Sequence, residues 1–246
     1  MRLKSTIVVL AMMVAVATTV PAYAQRQSDE WQFQLAPLYL WAMSVDGTLT
    51  IRDRIEQDLS VDFSDAFDNL EAAFTVHFEA EKGRWGLIAD VSRLDIAGSQ
   101  EIQTPGGQAD IGVENIIYEG AARYSFAENW WVIAGARYFK LDTDLGFQLD
   151  IAPEIRVTES WTDFFGGLMW RPKLGQRLTF SGRFDVGAGG SDLVWNAEAI
   201  IDFQIGSWVA ILGGYRHLDF DYTNNNNGIK YDMSMSGPVA AFRFFW

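Results

Sequence analysis

Apolar and polar residues alternate one by one along most of the chain, which is the pattern of extended strands. The final stretch, residues 237–246, places Phe242, Phe244 and Trp246 on one face and Arg243 on the other. Chain ends of water-soluble domains are usually polar, so three aromatic residues on one face are unusual there. The pattern favours a last strand that seals a barrel within lipid over the last strand of a soluble sandwich.

The alternation predicts ten strands whose connections differ in length. Short turns fall at 81–84, 127–129, 172–176 and 205–207, and longer polar connections fall at 44–69, 97–110, 142–160 and 219–228. The corner at 187–191 is the exception, because it is short but lies on the side of the longer connections. Transmembrane barrels have short periplasmic turns and longer extracellular loops. We therefore predict an all-β, antiparallel, up-and-down transmembrane β-barrel of about ten strands; eight and twelve remain alternatives.

Two local predictions concern the start of this barrel. Residues 31–41 alternate as a single strand, with Tyr39 and Trp41 on its apolar, outward face. Within the acidic connection that follows, Asp46-Gly47 predicts a hairpin turn, so part of this connection is expected to form a hairpin of its own.

The N-terminus carries the pattern of an export signal. Arg2 and Lys4 precede an apolar run at 7–20, and residues 22–24, Ala-Tyr-Ala, form a small-x-small cleavage site. We predict a cleaved signal peptide over 1–24 and one β-barrel domain over 25–246. No later apolar run reaches the roughly eighteen residues of a spanning helix, so residence in a membrane requires a closed barrel.

Composition narrows the classes of function. The chain has 10 Trp and 17 Phe although 21% of its residues are charged, a supply that interfacial aromatic girdles would use. A net charge of −13 argues against a nucleic-acid partner, whose phosphates need a basic surface. The absence of cysteine excludes thiol chemistry and cysteine-based metal sites. The acidic connection at 44–69 lacks the EF-hand spacing, and we expect it to face cation-bridged lipopolysaccharide and not to bind a metal itself.

The face opposite the apolar one collects charged residues, and these are the predicted lumen-lining side chains. They are His77, Glu79, Asp90, Glu119, Arg123, Arg137, Asp163, Arg171, Arg183, Asp185, Glu198, Asp202, Arg216 and Arg243, with Glu81 beside them. In a narrow barrel such charges must pair, because an isolated buried charge is very costly. We predict a salt-bridged, mostly plugged lumen; a narrow polar path for small solutes is the alternative.

Catalysis is not indicated by the two histidines. His77 is expected to point inward near a short turn, and His217 outward near the opposite rim, so they cannot act together. His77 has no recognisable nucleophile arrangement around it. We predict no catalytic residue, no cofactor and no metal; an outer-membrane lipid-modifying enzyme or a ligand-binding barrel is the alternative.

Several motifs carry a resemblance to a known class of proteins. They are Pro-Leu-Tyr-Leu-Trp at 37–41, Val-Asp-Phe-Ser-Asp at 61–65, Gly-Arg-Trp-Gly-Leu at 83–87, Gly-Tyr-Arg at 214–216 and the aromatic C-terminus. With them the chain resembles small porin-like outer-membrane β-barrel proteins of Gram-negative bacteria, which are mostly described only by location. The resemblance implies contact with outer-membrane lipid and lipopolysaccharide, and recognition of Phe242, Phe244 and Trp246 by the barrel-assembly machinery. It implies a structural protein or a narrow channel and says little about activity.

Overall fold

A computed structural model describes residues 29–51, 55–61, 70–101, 108–147 and 155–246, which form one antiparallel sheet. Its strands are β1 (Gln32–Ala36), β2 (Leu40–Trp41), β3 (Ser44–Ile51), β4 (Ile55–Val61), β5 (Leu70–Lys82), β6 (Trp85–Glu101), β7 (Gln108–Ala127), β8 (Trp130–Phe147), β9 (Ile155–Trp170), β10 (Leu178–Gly189), β11 (Ser191–Gln204), β12 (Val209–Asn224) and β13 (Ile229–Phe245). Among the described residues, no helix is long and apolar enough to cross a membrane. The predicted signal peptide, 1–24, lies outside the described residues.

The sheet closes into a ring of ten strands, as predicted. Each strand from β5 to β13 pairs with the next, and β1 pairs with both β5 and β13. Strands β2 and β3 continue the line of β1 along the same edge of β13, and β4 pairs with β3 as a hairpin arm outside the ring. A closed ring leaves no unpaired barrel edge, which is what a lipid environment requires.

The predicted first strand is broken, and its second half faces the other way. Phe33 in β1 packs against Phe78 and Trp246 on the outer surface. Pro37 has no N–H to donate to a strand ladder. Beyond it, the alternation of inward and outward side chains shifts by one residue. Tyr39 and Trp41 are therefore buried inside the barrel, and their predicted outward orientation is wrong.

The strands are also longer than predicted, at the expense of the loops. Most described residues of 97–110, 142–160 and 219–228 continue the strands β6 to β9, β12 and β13. Among the described side chains of these extensions, Asp144 and Asp221 lie on the outer face, whereas Val157, Phe220 and Tyr222 are buried inside. At the corner 187–191, only Gly190 lies outside the two strands.

The acidic connection does form a hairpin of its own, β3–β4, but its turn is not at Asp46-Gly47. Gly47 lies within β3, opposite Met233 of β13 and Leu59 of β4. A Cβ atom on Gly47 would meet the Asp232 carbonyl oxygen at 2.1 Å. Glycine is needed there because β13 approaches closely, and not because the chain turns.

Candidate functional site in the barrel interior

The first interior cluster is centred on Glu79 of β5, near the end of the barrel that carries the short turns. Its carboxylate accepts hydrogen bonds from both terminal nitrogens of Arg171, at 2.8 and 2.9 Å, and pairs with Arg123 at 2.8 Å. Arg123 also donates to Glu81, at 2.7 Å. Since Arg171 follows β9, four positions from β5 around the ring, the Glu79–Arg171 bridge crosses the lumen.

His77 extends this cluster toward β6. Its Nδ1 lies 2.7 Å from Asp90 Oδ1 and its Nε2 lies 2.9 Å from Glu79 Oε1. A carboxylate oxygen accepts hydrogen bonds, so both contacts are satisfied only when each ring nitrogen carries a proton. The geometry therefore describes a fixed imidazolium held between two carboxylates.

The second cluster pairs two arginines with two carboxylates. Arg137 contacts Glu119 at 2.6 Å and Asp185 at 3.1 Å, and Arg183 contacts the same two residues at 2.6 and 2.8 Å. Both guanidinium groups also lie over the ring of Phe165, at 4.7 and 5.3 Å. All four charged side chains are buried, Arg137 and Asp185 completely. Reciprocal pairing of this kind offsets the desolvation of buried charges.

The remaining predicted interior residues have individual partners. Arg243 pairs with Asp202 at 3.0 Å, and Glu198 accepts a hydrogen bond from Tyr39 at 2.7 Å. Asp163 accepts from the Ser191 amide and hydroxyl and from the Trp161 indole. Arg216 donates to Asn196 and lies 4.6 Å from the centre of the Trp41 ring. Within the described residues, no group of His, Asp or Glu side chains has the arrangement of a metal site.

Above these clusters, toward the longer connections, the interior becomes apolar. Phe139, Trp161, Phe220, Tyr222 and Tyr231 pack ring against ring, with centroids 4.0 to 6.5 Å apart. Leu49, Leu141, Leu218, Met233 and Met235 complete this layer, and none of the ten side chains is more than 7% exposed. The alternation pattern does not predict these ten residues as interior, because polar residues beside them suggest loops.

One buried carboxylate lies within the apolar layer. Glu159 accepts hydrogen bonds from Tyr222, Asn224 and Asn227, at 2.8, 3.0 and 2.6 Å. These donors come from the end of β12 and its connection to β13. These hydrogen bonds hold the β12–β13 connection against the mouth of the barrel.

The outer surface carries two aromatic bands. Trp85, Trp130, Trp170, Trp208 and Trp246 form the band beside the short turns, and Tyr118, Tyr138, Phe164, Phe184 and Tyr215 form the second band. Apolar side chains such as Leu87, Val132 and Ile211 are exposed between them. On β8 the stretch from Trp130 in one band to Tyr138 in the other contains nine residues, which is the length that crosses a bilayer as a tilted strand.

Beyond the second band the outer surface is polar. Ion pairs join Arg93 to Asp95 and Glu114, Lys140 to Asp142, and Arg156 to Asp144. Above the second band the exposed apolar surface therefore largely gives way to charged side chains, as at the edge of a lipid-facing belt.

Comparison with solved structures agrees with this geometry. The outer membrane protease OmpT from Escherichia coli aligns with a TM-score of 0.51 and 8% identity, over 92% of this chain and 100% of that chain. The chain has the fold of an outer-membrane β-barrel. In barrels of this fold the short turns face the periplasm and the longer connections lie outside the cell. At 8% identity the likeness to OmpT concerns the fold alone.

Two further outer-membrane structures align less closely. The translocator domain of the autotransporter NalP from Neisseria meningitidis has a TM-score of 0.46 and 11% identity, over 98% of this chain and 97% of that chain. Ail from Yersinia pestis, in complex with sucrose octasulfate, has a TM-score of 0.40 and 8% identity, over 88% and 99%. No protein-family model and no curated protein sequence matches the chain.

The structure places all fourteen predicted lumen residues on the interior side of this outer-membrane barrel. Eleven of them are buried, and His77, Arg171 and Glu198 are half-buried. The first and second clusters bring together residues of β5 to β10, whereas Arg243 and Asp202 form a separate pair. At the end of the chain, Phe242 of β13 and the following Trp246 are exposed on the outer surface, and Phe244 stacks on Trp208. His217 lies on the outer face beside Trp195, with centroids 4.5 Å apart.

Ionisation outside the membrane belt reflects local burial and pairing. Burial raises the pKa of Tyr231 to about 12. Burial, reinforced by the hydrogen bond to Glu159, also raises the pKa of Tyr222. The hydrogen bond from Arg156 lowers the pKa of Asp144. Burial and repulsion from Asp192 raise the pKa of Asp221.

Proposed function

We propose that this protein is a closed, non-catalytic structural barrel of the outer membrane and not an open pore. The observation that carries the proposal is direct contact between opposite walls at two levels. Glu79 meets Arg171 in the lower layer, and the Thr143 and Tyr231 hydroxyls lie 3.5 Å apart in the upper layer. Strands β8 and β13, which carry the second pair, are five positions apart in a ring of ten.

Burial of the interior side chains supports the same proposal. Arg137, Asp163 and Asp185 have no solvent-accessible surface, and neither do Phe139 and Phe220 in the layer above. A hydrated path would leave the side chains that line it accessible. A barrel of about eight strands has an interior that its own side chains can fill, and ten strands leave slightly more room.

The surroundings of His77 support the proposal that the barrel is not catalytic. A general base needs a ring nitrogen free to take a proton from a nucleophile. Both ring nitrogens of His77 are engaged by Asp90 and Glu79, at 2.7 and 2.9 Å.

For partners, we propose outer-membrane lipid around the belt between the aromatic bands, and lipopolysaccharide around the polar surface above it. We also propose that the barrel-assembly machinery recognises the outward residues Phe242, Phe244 and Trp246 of the closing strand.

Planar-bilayer recording tests the closed state. We expect the wild-type protein to give no steady conductance steps, and the double variant Arg171→Ala/Tyr231→Ala, which removes one contact from each layer, to give small ones. Arg156→Ala, whose guanidinium lies on the outer surface, serves as the control and is expected to stay closed. Steady steps from the wild type would overturn the proposal in favour of the narrow channel.

A separate assay tests the proposal that the barrel is not an enzyme. We expect no turnover of lipid A or phospholipid by the purified barrel in lipid. Hydrolysis or acyl transfer that disappears in His77→Ala, while the variant still folds to a heat-modifiable barrel, would show an enzyme instead.

A further inference from the structure

A cleft of about 550 Å³ opens at the periplasmic mouth of the barrel, below the Glu79–Arg171 bridge. It is lined by the turn between β9 and β10, by the start of β1 and by the ends of β11 and β13. Its size is in the range of small-molecule sites, which are roughly 300–1,000 Å³. Unlike the filled interior above it, this mouth is open to the periplasm.

The lining is strongly cationic in a protein whose net charge is −13. Arg171, Lys173, Arg177 and Arg243 contribute four positive charges, against the single carboxylate side chain of Asp202. The side chains of the lining therefore carry a net charge of +3.

Two of the four cations are committed to partners and two are not. Arg171 pairs with Glu79, and Arg243 pairs with Asp202. Lys173 and Arg177 are exposed, and the described residues provide no carboxylate within ion-pair distance of either. These two side chains are therefore available to a ligand that enters from the periplasm.

Buried polar atoms in the same lining also lack partners. Arg243 is only 4% exposed; its Nη1 is engaged by Asp202, but its Nε has no acceptor. The side-chain oxygen of Gln34, on the neighbouring strand β1, is likewise buried without a donor. A buried donor without an acceptor is costly, and an oxyanion in the cleft would supply the acceptor that Arg243 lacks.

Backbone hydrogen bonds hold the turn that presents the two free cations. The Leu174 amide donates to the Leu178 carbonyl, and the Phe180 amide donates to the Pro172 carbonyl. The Gln204 amide, at the end of β11, donates to the Arg177 carbonyl at 2.8 Å. Lys173 and Arg177 therefore project from an ordered platform, which reduces the entropy lost when a ligand binds.

We propose that this vestibule, defined by Arg171, Lys173, Arg177, Asp202 and Arg243, binds a small oxyanion from the periplasm. The ligand is a molecule that carries a phosphate or carboxylate group, because guanidinium forks recognise both groups through paired hydrogen bonds. Arg177 and Lys173 engage its charge at the rim, and Arg243 Nε provides a buried donor at the base. Binding requires only the mouth of the barrel and is independent of whether the lumen above is closed.

Isothermal titration calorimetry on the purified full barrel in nanodiscs tests the proposal, with inorganic phosphate and citrate as separate probes. We expect saturable binding of at least one probe that weakens with added salt, and at least tenfold weaker binding in Lys173→Gln/Arg177→Gln. Both substituted side chains are exposed, so the variant is expected to fold normally. The preferred probe identifies the phosphate or the carboxylate as the recognised group.

The matched control is Arg93→Gln/Lys140→Gln, which removes the same number of charges from the extracellular surface. Its affinity for the preferred probe is expected to equal that of the wild type. Absence of binding of both probes to the wild type would overturn the proposal. So would equal weakening in the two double variants, which would indicate a general effect of net charge.

Discussion

Residues 229–236 and 237–245 belong to the same strand, β13, yet they place their apolar and charged side chains on opposite faces. In the extracellular part, Tyr231 and Met233 are buried inside the barrel, and Lys230 and Asp232 are exposed on its outer surface. In the membrane part, Phe242 is exposed outside and Arg243 is buried inside. Strand β8 repeats this exchange: Tyr138 is exposed and Arg137 buried in the membrane, whereas Phe139 is buried and Lys140 half-exposed just above it.

The solvent outside the wall explains the difference. Where water surrounds the barrel, burying aromatic residues inside removes apolar surface from water, and the hydrophobic effect stabilises the extension as in a soluble protein. Where lipid surrounds it, an apolar side chain gains little by moving inward, because lipid tails are as apolar as a protein core. The inner face can then carry paired charges, which fix the arrangement of the strands through directional contacts.

The largest expected effect comes from removing a buried charge from the interior of the membrane part. Arg137→Met removes one of the two cations that neutralise Glu119 and Asp185, both of which stay buried. Breaking a buried ion pair from one side typically costs about 3–5 kcal/mol, so we expect a loss of that order in the free energy of unfolding. Urea unfolding from lipid vesicles, followed by tryptophan fluorescence, measures it.

The control for that prediction is Arg156→Met, which removes an exposed partner of Asp144 on the extracellular surface. We expect little change in unfolding, because water solvates the carboxylate that remains. Equal stability of Arg137→Met and the wild type would show that the buried pairs do not determine the stability of the membrane half.

A smaller effect tests where lipid ends on the outer face. Ala240 and Ser234 both point outward from β13, six residues apart. Ala240→Arg places a charge within the lipid belt, and such charges cost about 2–4 kcal/mol near the bilayer midplane. Ser234→Arg, beside Asp219 of β12, lies in the polar zone and is expected to be neutral. Similar losses in the two variants would place the boundary above Ser234 and contradict the proposed belt.

The sequence predicts the part of the barrel between the aromatic bands well, because the same alternation, with aromatic residues on the outward face, recurs on strand after strand. It predicts the extracellular continuation of the strands poorly, although the signal is present: residues 229–236 alternate apolar and polar one by one. Assigning polar residues such as Asp219 and Asp221 to a loop conceals that the polar face has moved outward. The predicted orientation of Tyr39 and Trp41 is wrong for a local reason, because the alternation of inward and outward side chains shifts at Pro37.

Contacts across the lumen lie beyond sequence reasoning for a geometric reason. Parity along a strand predicts that Glu79 and Arg171 point inward, but their meeting depends on the diameter and stagger of the closed ring. The same holds for Thr143 and Tyr231, which are 88 residues apart in the chain. Which charge pairs with which is a property of the closed barrel and not of any single strand.

The smallest expected effect concerns pH and the water-facing half. Burial raises the pKa of Tyr231 to about 12, above the ordinary value of 10.0, so folding favours the neutral phenol. Its contribution to stability is complete below about pH 10 and is lost as the pH rises through about 12, because the unfolded chain loses this proton first. We expect the thermal unfolding midpoint to fall over this window, and to fall less in Tyr231→Phe. Tyr215→Phe, which alters an exposed ring of the membrane belt, serves as the control and is expected to follow the wild type. If Tyr231→Phe also followed the wild type, ionisation of the extracellular core would not limit alkaline stability, and the upper half would not behave as the water-facing core that its packing describes.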